Sequence, residues 1–173
     1  MRVFFAVTFD AETKEKLRRI KELVLSETEK GRFSYYKNYH ITIEFIGEVN
    51  DEKVQTLKNI INKLENIPQY IKFNKLGSFK RKNKEIVWIG IEKNEKLNKI
   101  HDQLIKLLKE YKFSVDKRPF TPHLTIGRQV IIDKKVEEID FFEFKVPINS
   151  IALMESKRVN GKLIYEPLQE IKL

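Results

Sequence analysis

The chain has 173 residues, of which 41% are hydrophobic and 34% charged, and its formal net charge is +9. This length fits a single domain over residues 1–173 with a self-sufficient core, and the positive charge favours an anionic partner such as RNA, DNA or an anionic membrane. The absence of cysteine excludes disulfides, thiol catalysis and zinc–thiolate sites.

Strand and helix signals alternate in the first half of the chain. Apolar residues at every second position predict a strand over residues 3–9, and Asp10 is a predicted helix N-cap. A second strand is predicted over residues 38–49, and Asn50 or Asp51 caps the next helix. The apolar stripes of the two helices are Leu17, Ile20 and Val24, then Val54, Leu57, Ile60 or Ile61, and Leu64.

Strands predominate in the second half. Alternating apolar residues predict strands over 69–79 and 85–92, around the basic linker "KRKNKE", and Asn94 is a predicted cap of a third helix. The apolar stripe of this helix is Leu97, Ile100, Leu104, Leu107 or Leu108, and Tyr111. Further strands are predicted near 112–116, 122–128, 141–153 and 163–171. Such a series of elements favours an α+β fold with antiparallel sheets.

One short pattern occurs once in each half of the chain. His-x-Thr-Ile spans residues 40–43 and again residues 123–126, so its histidines are separated by nearly half the sequence. We therefore expect two pseudo-symmetric antiparallel-sheet lobes, with flanking helices, that face each other across a central cleft.

Each copy of the pattern places its histidine and threonine on one face of a strand. Successive side chains point to opposite faces of a strand that rises about 3.3 Å per residue, so His40 and Thr42 lie about 7 Å apart on one face. His123 and Thr125 repeat this arrangement. The opposite, core-facing residues are Ile41, Ile43 and Phe45 in the first copy, and Leu124 and Ile126 in the second.

Two histidines and two hydroxyls are suited to metal-free phosphodiester chemistry. One imidazole can accept a proton from a nucleophile while the other gives a proton to a leaving group, and the threonines can donate hydrogen bonds to phosphate oxygens. His101 has no hydroxyl partner and is interpreted as structural or as a surface residue. The alternatives are a metal triad of His40, His101 and His123, and a basic RNA-binding module without turnover.

The stretches "HITIEFIGEV" and "PFTPHLTIGR" resemble the two-histidine phosphoesterases, specifically the RNA 2′,3′-cyclic phosphodiesterases, also called 2′-5′ RNA ligases. The segments "VFFAVTFD", "LGSF…IVWIGIE" and "INSIALMESKRVNGKLIYEPLQEIKL" extend the resemblance over nearly the whole chain. It implies a bilobal α+β fold and hydrolysis of RNA 2′,3′-cyclic phosphate ends, for example on tRNA fragments, to 2′-phosphates without metal or nucleotide cofactor.

The resemblance also implies a role for each motif residue. By position, His40 protonates the departing 3′ oxygen, His123 activates the attacking water, and Thr42 and Thr125 hold the phosphate oxygens. The residues by themselves leave open which histidine is the acid. Arg128 resembles a substrate-contacting position. Strict alternation places it opposite Thr125 unless Gly127 allows a bulge.

Three expectations remain. A carboxylate beside a phosphate would repel it, so we expect Glu44, on the His40 face by alternation, at the cleft rim. Ligation is the reverse reaction, and related enzymes act on small cyclic nucleotides or on ADP-ribose cyclic phosphate, so both stay open. The short apolar start is not expected to be a signal peptide, because it ends at Asp10 without a signal-peptidase cleavage site. No segment approaches the roughly 20 apolar residues of a membrane span. We expect a cytoplasmic protein, and a monomer.

Overall fold

The computed structural model describes all 173 residues, which form three α-helices and nine β-strands. The helices are α1 (Ala11–Ser26), α2 (Asp51–Ile61) and α3 (Glu95–Glu110). The strands are β1 (Arg2–Thr8), β2 (Thr28–Phe33), β3 (His40–Glu48), β4 (Tyr70–Arg81), β5 (Lys84–Ile91), β6 (His123–Ile132), β7 (Phe144–Pro147), β8 (Ser150–Val159) and β9 (Lys162–Lys172). Each helix is too short or too polar to cross a lipid bilayer.

Side-chain caps begin all three helices where the sequence predicts them. The side-chain oxygens of Asp10, Asn50 and Asn94 each accept a hydrogen bond, 2.8 to 3.0 Å long, from the backbone N–H three residues ahead. The cap of α2 is therefore Asn50 rather than Asp51. The apolar stripe of α3 ends at Leu108, because Tyr111 lies beyond the helix and is exposed.

The strands form two antiparallel sheets. One has the order β3-β1-β8-β9 and the other the order β2-β6-β5-β4-β7. The predicted α+β class with two antiparallel sheets is thus confirmed. The first histidine motif lies on an edge strand, β3, whereas the second lies on β6 between two neighbours.

One strand is not predicted by the sequence, and two predicted strand assignments need correction. The polar segment Thr28–Phe33 is an edge strand that pairs with β6, although it lacks an alternating apolar pattern. No strand forms over 112–116, because Lys112 has a left-handed backbone (φ 67°) and the chain continues as a connector to β6. The segment predicted as one strand over 141–153 is two strands, since β7 pairs with β4 and β8 pairs with β1.

The buried residues explain how the sheets are held behind the cleft. The main apolar core takes residues from both sheets and all three helices. In β1, Val3, Phe5 and Val7 belong to this core. The opposite face of β1 contributes Phe4 and Ala6 to a small separate cluster, and Phe4 also lines the cleft.

Candidate active site

His40 is the first residue of β3, and its two ring nitrogens have different partners. Nδ1 lies 2.8 Å from the carbonyl oxygen of Asn38, and Nε2 lies 3.0 Å from Oγ1 of Thr42. Because a carbonyl oxygen only accepts, Nδ1 carries the proton and the neutral ring keeps its lone pair at Nε2. Nε2 is therefore the atom that can exchange a proton with a ligand.

His123 is held in the same way at the start of β6. Its Nδ1 lies 2.6 Å from the carbonyl oxygen of Thr121, again two residues earlier in the chain. His123 therefore also carries its proton on Nδ1, and the lone pair at Nε2 is free to accept a proton. Both imidazoles line one cleft, together with Thr42 and Thr125.

Aromatic rings surround each imidazole. Phe4 and Tyr165 lie 4.9 and 5.0 Å from the His40 ring, between centroids. Phe79 lies 5.2 Å from the His123 ring, edge to face, and Trp88 lies 6.0 Å from it. No short motif could identify these rings, because they come from strands distant in sequence.

Burial among these rings changes the proton affinity of both histidines. It lowers the pKa of His40 to about 4, because the charged imidazolium loses water contacts that its bond to Asn38 replaces only in part. Burial also lowers the pKa of His123. Both imidazoles are therefore neutral near pH 7 when no anion is bound.

A β-bulge in β3 changes the faces predicted for the residues after Thr42. Ala6 pairs with Thr42 but the adjacent Phe5 pairs with Glu44, so β3 carries one extra residue there. Glu44 consequently turns away from the cleft and is 5% exposed, and Phe45 turns into the cleft and is 49% exposed. The expected cleft-rim position of Glu44 and core position of Phe45 are both wrong for this reason.

A second bulge lies at the equivalent place in β6. Trp88 pairs with Thr125 but the adjacent Val87 pairs with Gly127, so an extra residue again follows the motif threonine. Arg128 thereby enters the cleft, on the same side as Thr125. The two bulges bring Phe45 and Arg128, which occupy equivalent positions after their motifs, to the cleft side of their strands.

The cleft has a volume of about 1340 Å³ and combines basic and aromatic side chains. A typical small-molecule site measures roughly 300–1,000 Å³, so this cleft has room for more than one nucleotide. Its basic residues are Arg2, Arg128, Lys157, Arg158 and Lys162, and its acidic residues are Glu48 and Glu155. This balance favours a polyanion.

His101 lies outside the cleft and lines a separate groove on the side of α3. Its ring stacks on Phe120 at a centroid distance of 4.3 Å, and its Nε2 lies 4.0 Å from a carboxylate oxygen of Glu44. The three histidines do not converge, and no three side chains of His, Asp or Glu are grouped as metal ligands would be.

Two antiparallel sheets that each bring a His-x-Thr motif to one cleft define a two-histidine phosphoesterase. The family model of the 2′-5′ RNA ligase superfamily matches residues 11–160. The chain belongs to this superfamily, as its motifs predict.

Relatives and solved structures match nearly the whole chain. The chain is 31% identical to the RNA 2′,3′-cyclic phosphodiesterase of Methanocaldococcus jannaschii, over 98% of this chain and 99% of that protein. It is 28% identical to the enzyme of the same name from Thermotoga maritima, over 98% and 94% respectively. The crystal structure of E. coli LigT complexed with 3′-AMP has the same fold, with a TM-score of 0.85 and 24% identity over 99% of this chain and 97% of that one.

Proposed function

We propose that this protein hydrolyses RNA 2′,3′-cyclic phosphate ends to 2′-phosphates by acid–base catalysis with His40 and His123. The observation that carries the proposal is the matched pair of imidazoles, each with a protonated Nδ1 on a backbone carbonyl and a free Nε2 in one cleft. The relatives from M. jannaschii and T. maritima are named RNA 2′,3′-cyclic phosphodiesterases, which supports the substrate class of the proposal.

The reaction needs one base and one acid on opposite sides of the phosphorus. His123 takes a proton from water through Nε2, and the water oxygen forms the new bond to phosphorus. The bond from phosphorus to O3′ then breaks, and protonated His40 gives its proton to O3′. This assignment of acid and base follows the resemblance of the motifs to the family.

The acid must acquire its proton together with the substrate. Since burial lowers the pKa of both histidines in the free protein, a bound phosphate anion is needed to raise them again. The hydroxyls of Thr42 and Thr125 and the guanidinium of Arg128 share the cleft and can bind the phosphate oxygens. We expect kcat/KM to follow a bell-shaped pH profile with its optimum on the acidic side of the usual histidine range.

Exposed aromatic rings indicate where nucleobases bind. Phe45 and Tyr35 line the cleft and are 49% and 56% exposed. The guanidinium of Arg2 lies 4.7 Å from the centroid of the Phe45 ring and adds a cation beside it. Such rings can stack with any base, and together with the basic rim they favour an RNA chain over a small cyclic nucleotide.

The test is the product formed from an oligonucleotide with a 2′,3′-cyclic phosphate end. We expect a 2′-phosphate end in the presence of EDTA, and a loss of rate of about 10²–10⁴-fold in His40→Ala and His123→Ala. Lys96→Ala, at an exposed position of α3, is the matched control and should keep the wild-type rate.

Three outcomes would contradict the proposal. Turnover abolished by EDTA would indicate a metal enzyme. RNA binding without product, unchanged when both histidines are replaced, would indicate a binding module. Product formed only from cyclic mononucleotides would exclude RNA ends as substrate.

Adding an RNA with a free 5′-hydroxyl tests ligation, because that hydroxyl can replace water at the same acid–base pair.

A further inference from the structure

Glu44 is a buried carboxylate that the proposed reaction does not use. It is 5% exposed, lies two residues after Thr42, and faces away from the cleft because of the bulge in β3. One of its oxygens accepts a hydrogen bond of 2.9 Å from the backbone N–H of Asp116, which is 72 residues away. A buried carboxylate usually has a specific partner, and here the partner lies in the chain that leads to His123.

That chain is the connector, residues 113–122, between α3 and β6. It has no helix or strand, and Phe113 is tied back to the end of α3 by a bond of 2.9 Å to Leu108. Beyond Phe113, the bond from Asp116 to Glu44 is the only one that joins the main chain of residues 114–120 to another part of the molecule. Near the end of the connector, the carbonyl oxygen of Thr121 accepts a hydrogen bond from Nδ1 of His123.

A second contact holds the connector from the side of α3. The ring of His101 lies parallel to that of Phe120, with an interplanar angle of 4°. Nε2 of His101 lies 4.0 Å from Glu44, so one small cluster touches the connector at both Asp116 and Phe120. Within the connector, the carboxylate of Asp116 accepts from the backbone N–H and the guanidinium of Arg118, which closes a compact turn.

We propose that Glu44 is a positioning residue for His123. It anchors the connector so that the carbonyl of Thr121 stays in place, and this carbonyl keeps the proton of His123 on Nδ1 and leaves Nε2 free. Since Glu44 lies on the strand that carries His40, the same bond ties the two histidine-bearing segments together. The consequence for catalysis rests on the proposed function; the consequence for the tautomer of His123 does not.

The experiment compares Glu44→Leu, which removes the acceptor, with Glu44→Gln, which keeps an acceptor oxygen without the charge. We expect Glu44→Leu to lower kcat on the cyclic-phosphate oligonucleotide by about 10²-fold, the usual effect of a small misplacement of a catalytic group, with KM unchanged. Glu44→Gln should keep the wild-type kcat. In the free protein, ¹⁵N NMR of the His123 ring should show Nδ1–H in the wild type and in Glu44→Gln, and a mixture of tautomers in Glu44→Leu.

The NMR measurement separates the two proposals, because it needs no substrate. A wild-type His123 tautomer in Glu44→Leu would overturn the positioning role, whatever the activity. An inactive wild-type protein that still loses the Nδ1–H tautomer in Glu44→Leu would overturn the proposed function alone. If Glu44→Leu does not fold, Phe120→Ala removes the stacking contact between the connector and His101 and must give the same mixture of tautomers. An unchanged tautomer there overturns the inference.

Discussion

The lowered pKa of His40 predicts a pH-dependent stability. The imidazole has an ordinary pKa of 6.5 when the chain is unfolded and a pKa of about 4 in the folded protein. Between these values the unfolded chain binds more protons, so the free energy of unfolding falls as the pH decreases from 6.5 to 4. The two pKa values differ by about 2.5 units, which corresponds to about 3 kcal/mol in the free energy of unfolding. This value is an upper limit, because the ring borders an open cleft.

His40→Gln removes this titration and keeps a polar side chain of similar size. We expect the free energy of unfolding, measured by urea titration at several pH values, to fall less steeply in the variant than in the wild type between pH 6.5 and 4. His101 and His123, whose pKa values are also lowered by burial, are present in both proteins and cancel in the difference. Parallel curves for the two proteins would refute the reasoning, because they would show that burial does not perturb His40.

Two further substitutions test one wall of the cleft and the packing of Trp88, the ring beside His123. Phe45→Ala should raise KM for an RNA oligonucleotide with little change in kcat, because a stacked base contributes about 1–3 kcal/mol to binding. The control is Phe142→Ala, at an aromatic residue that is 94% exposed outside the cleft, and it should leave KM unchanged. Equal effects of the two substitutions on KM would argue against stacking. Gly77→Ala should destabilise the protein by about 1–3 kcal/mol, because the added Cβ would lie 2.3 Å from the ring of Trp88. Calorimetry measures the second effect, and an unchanged melting temperature would contradict the packing described here.

The sequence predicts well what depends on local signals. Helix starts follow from Asp10, Asn50 and Asn94, because a cap needs only a side-chain oxygen and the next turn of backbone. The doubled His-x-Thr pattern predicts that each histidine shares a strand face with its threonine, because side chains alternate along a strand. Two such faces predict one cleft. The alternation holds only as far as the threonine of each motif.

Features that depend on a neighbouring strand are the ones the sequence does not predict. Each bulge is defined by the register against β1 or β5. The bulge in β6 has a local signal, Gly127 directly after Ile126, whereas Ile43 in β3 has no glycine or proline beside it. The edge strand β2 has only one apolar side chain of any size, Phe33, so its pairing with β6 could not be predicted from an alternating apolar pattern. Tyr165 reaches His40 only because β9 lies in the same sheet.

The doubled bulge gives each half of the chain one more cleft-lining side chain beyond its His-x-Thr motif. In both halves of the chain, the third residue after the motif threonine lines the cleft, namely Phe45 and Arg128. Phe45 carries no proton and holds no phosphate oxygen in the proposed reaction, so replacing it can alter which RNA binds while the histidine pair and Arg128 are left intact. An engineer who wishes to redirect this scaffold should begin at position 45. Substitutions at position 128 should affect phosphate binding, and substitutions at position 44 should act through the connector that leads to His123.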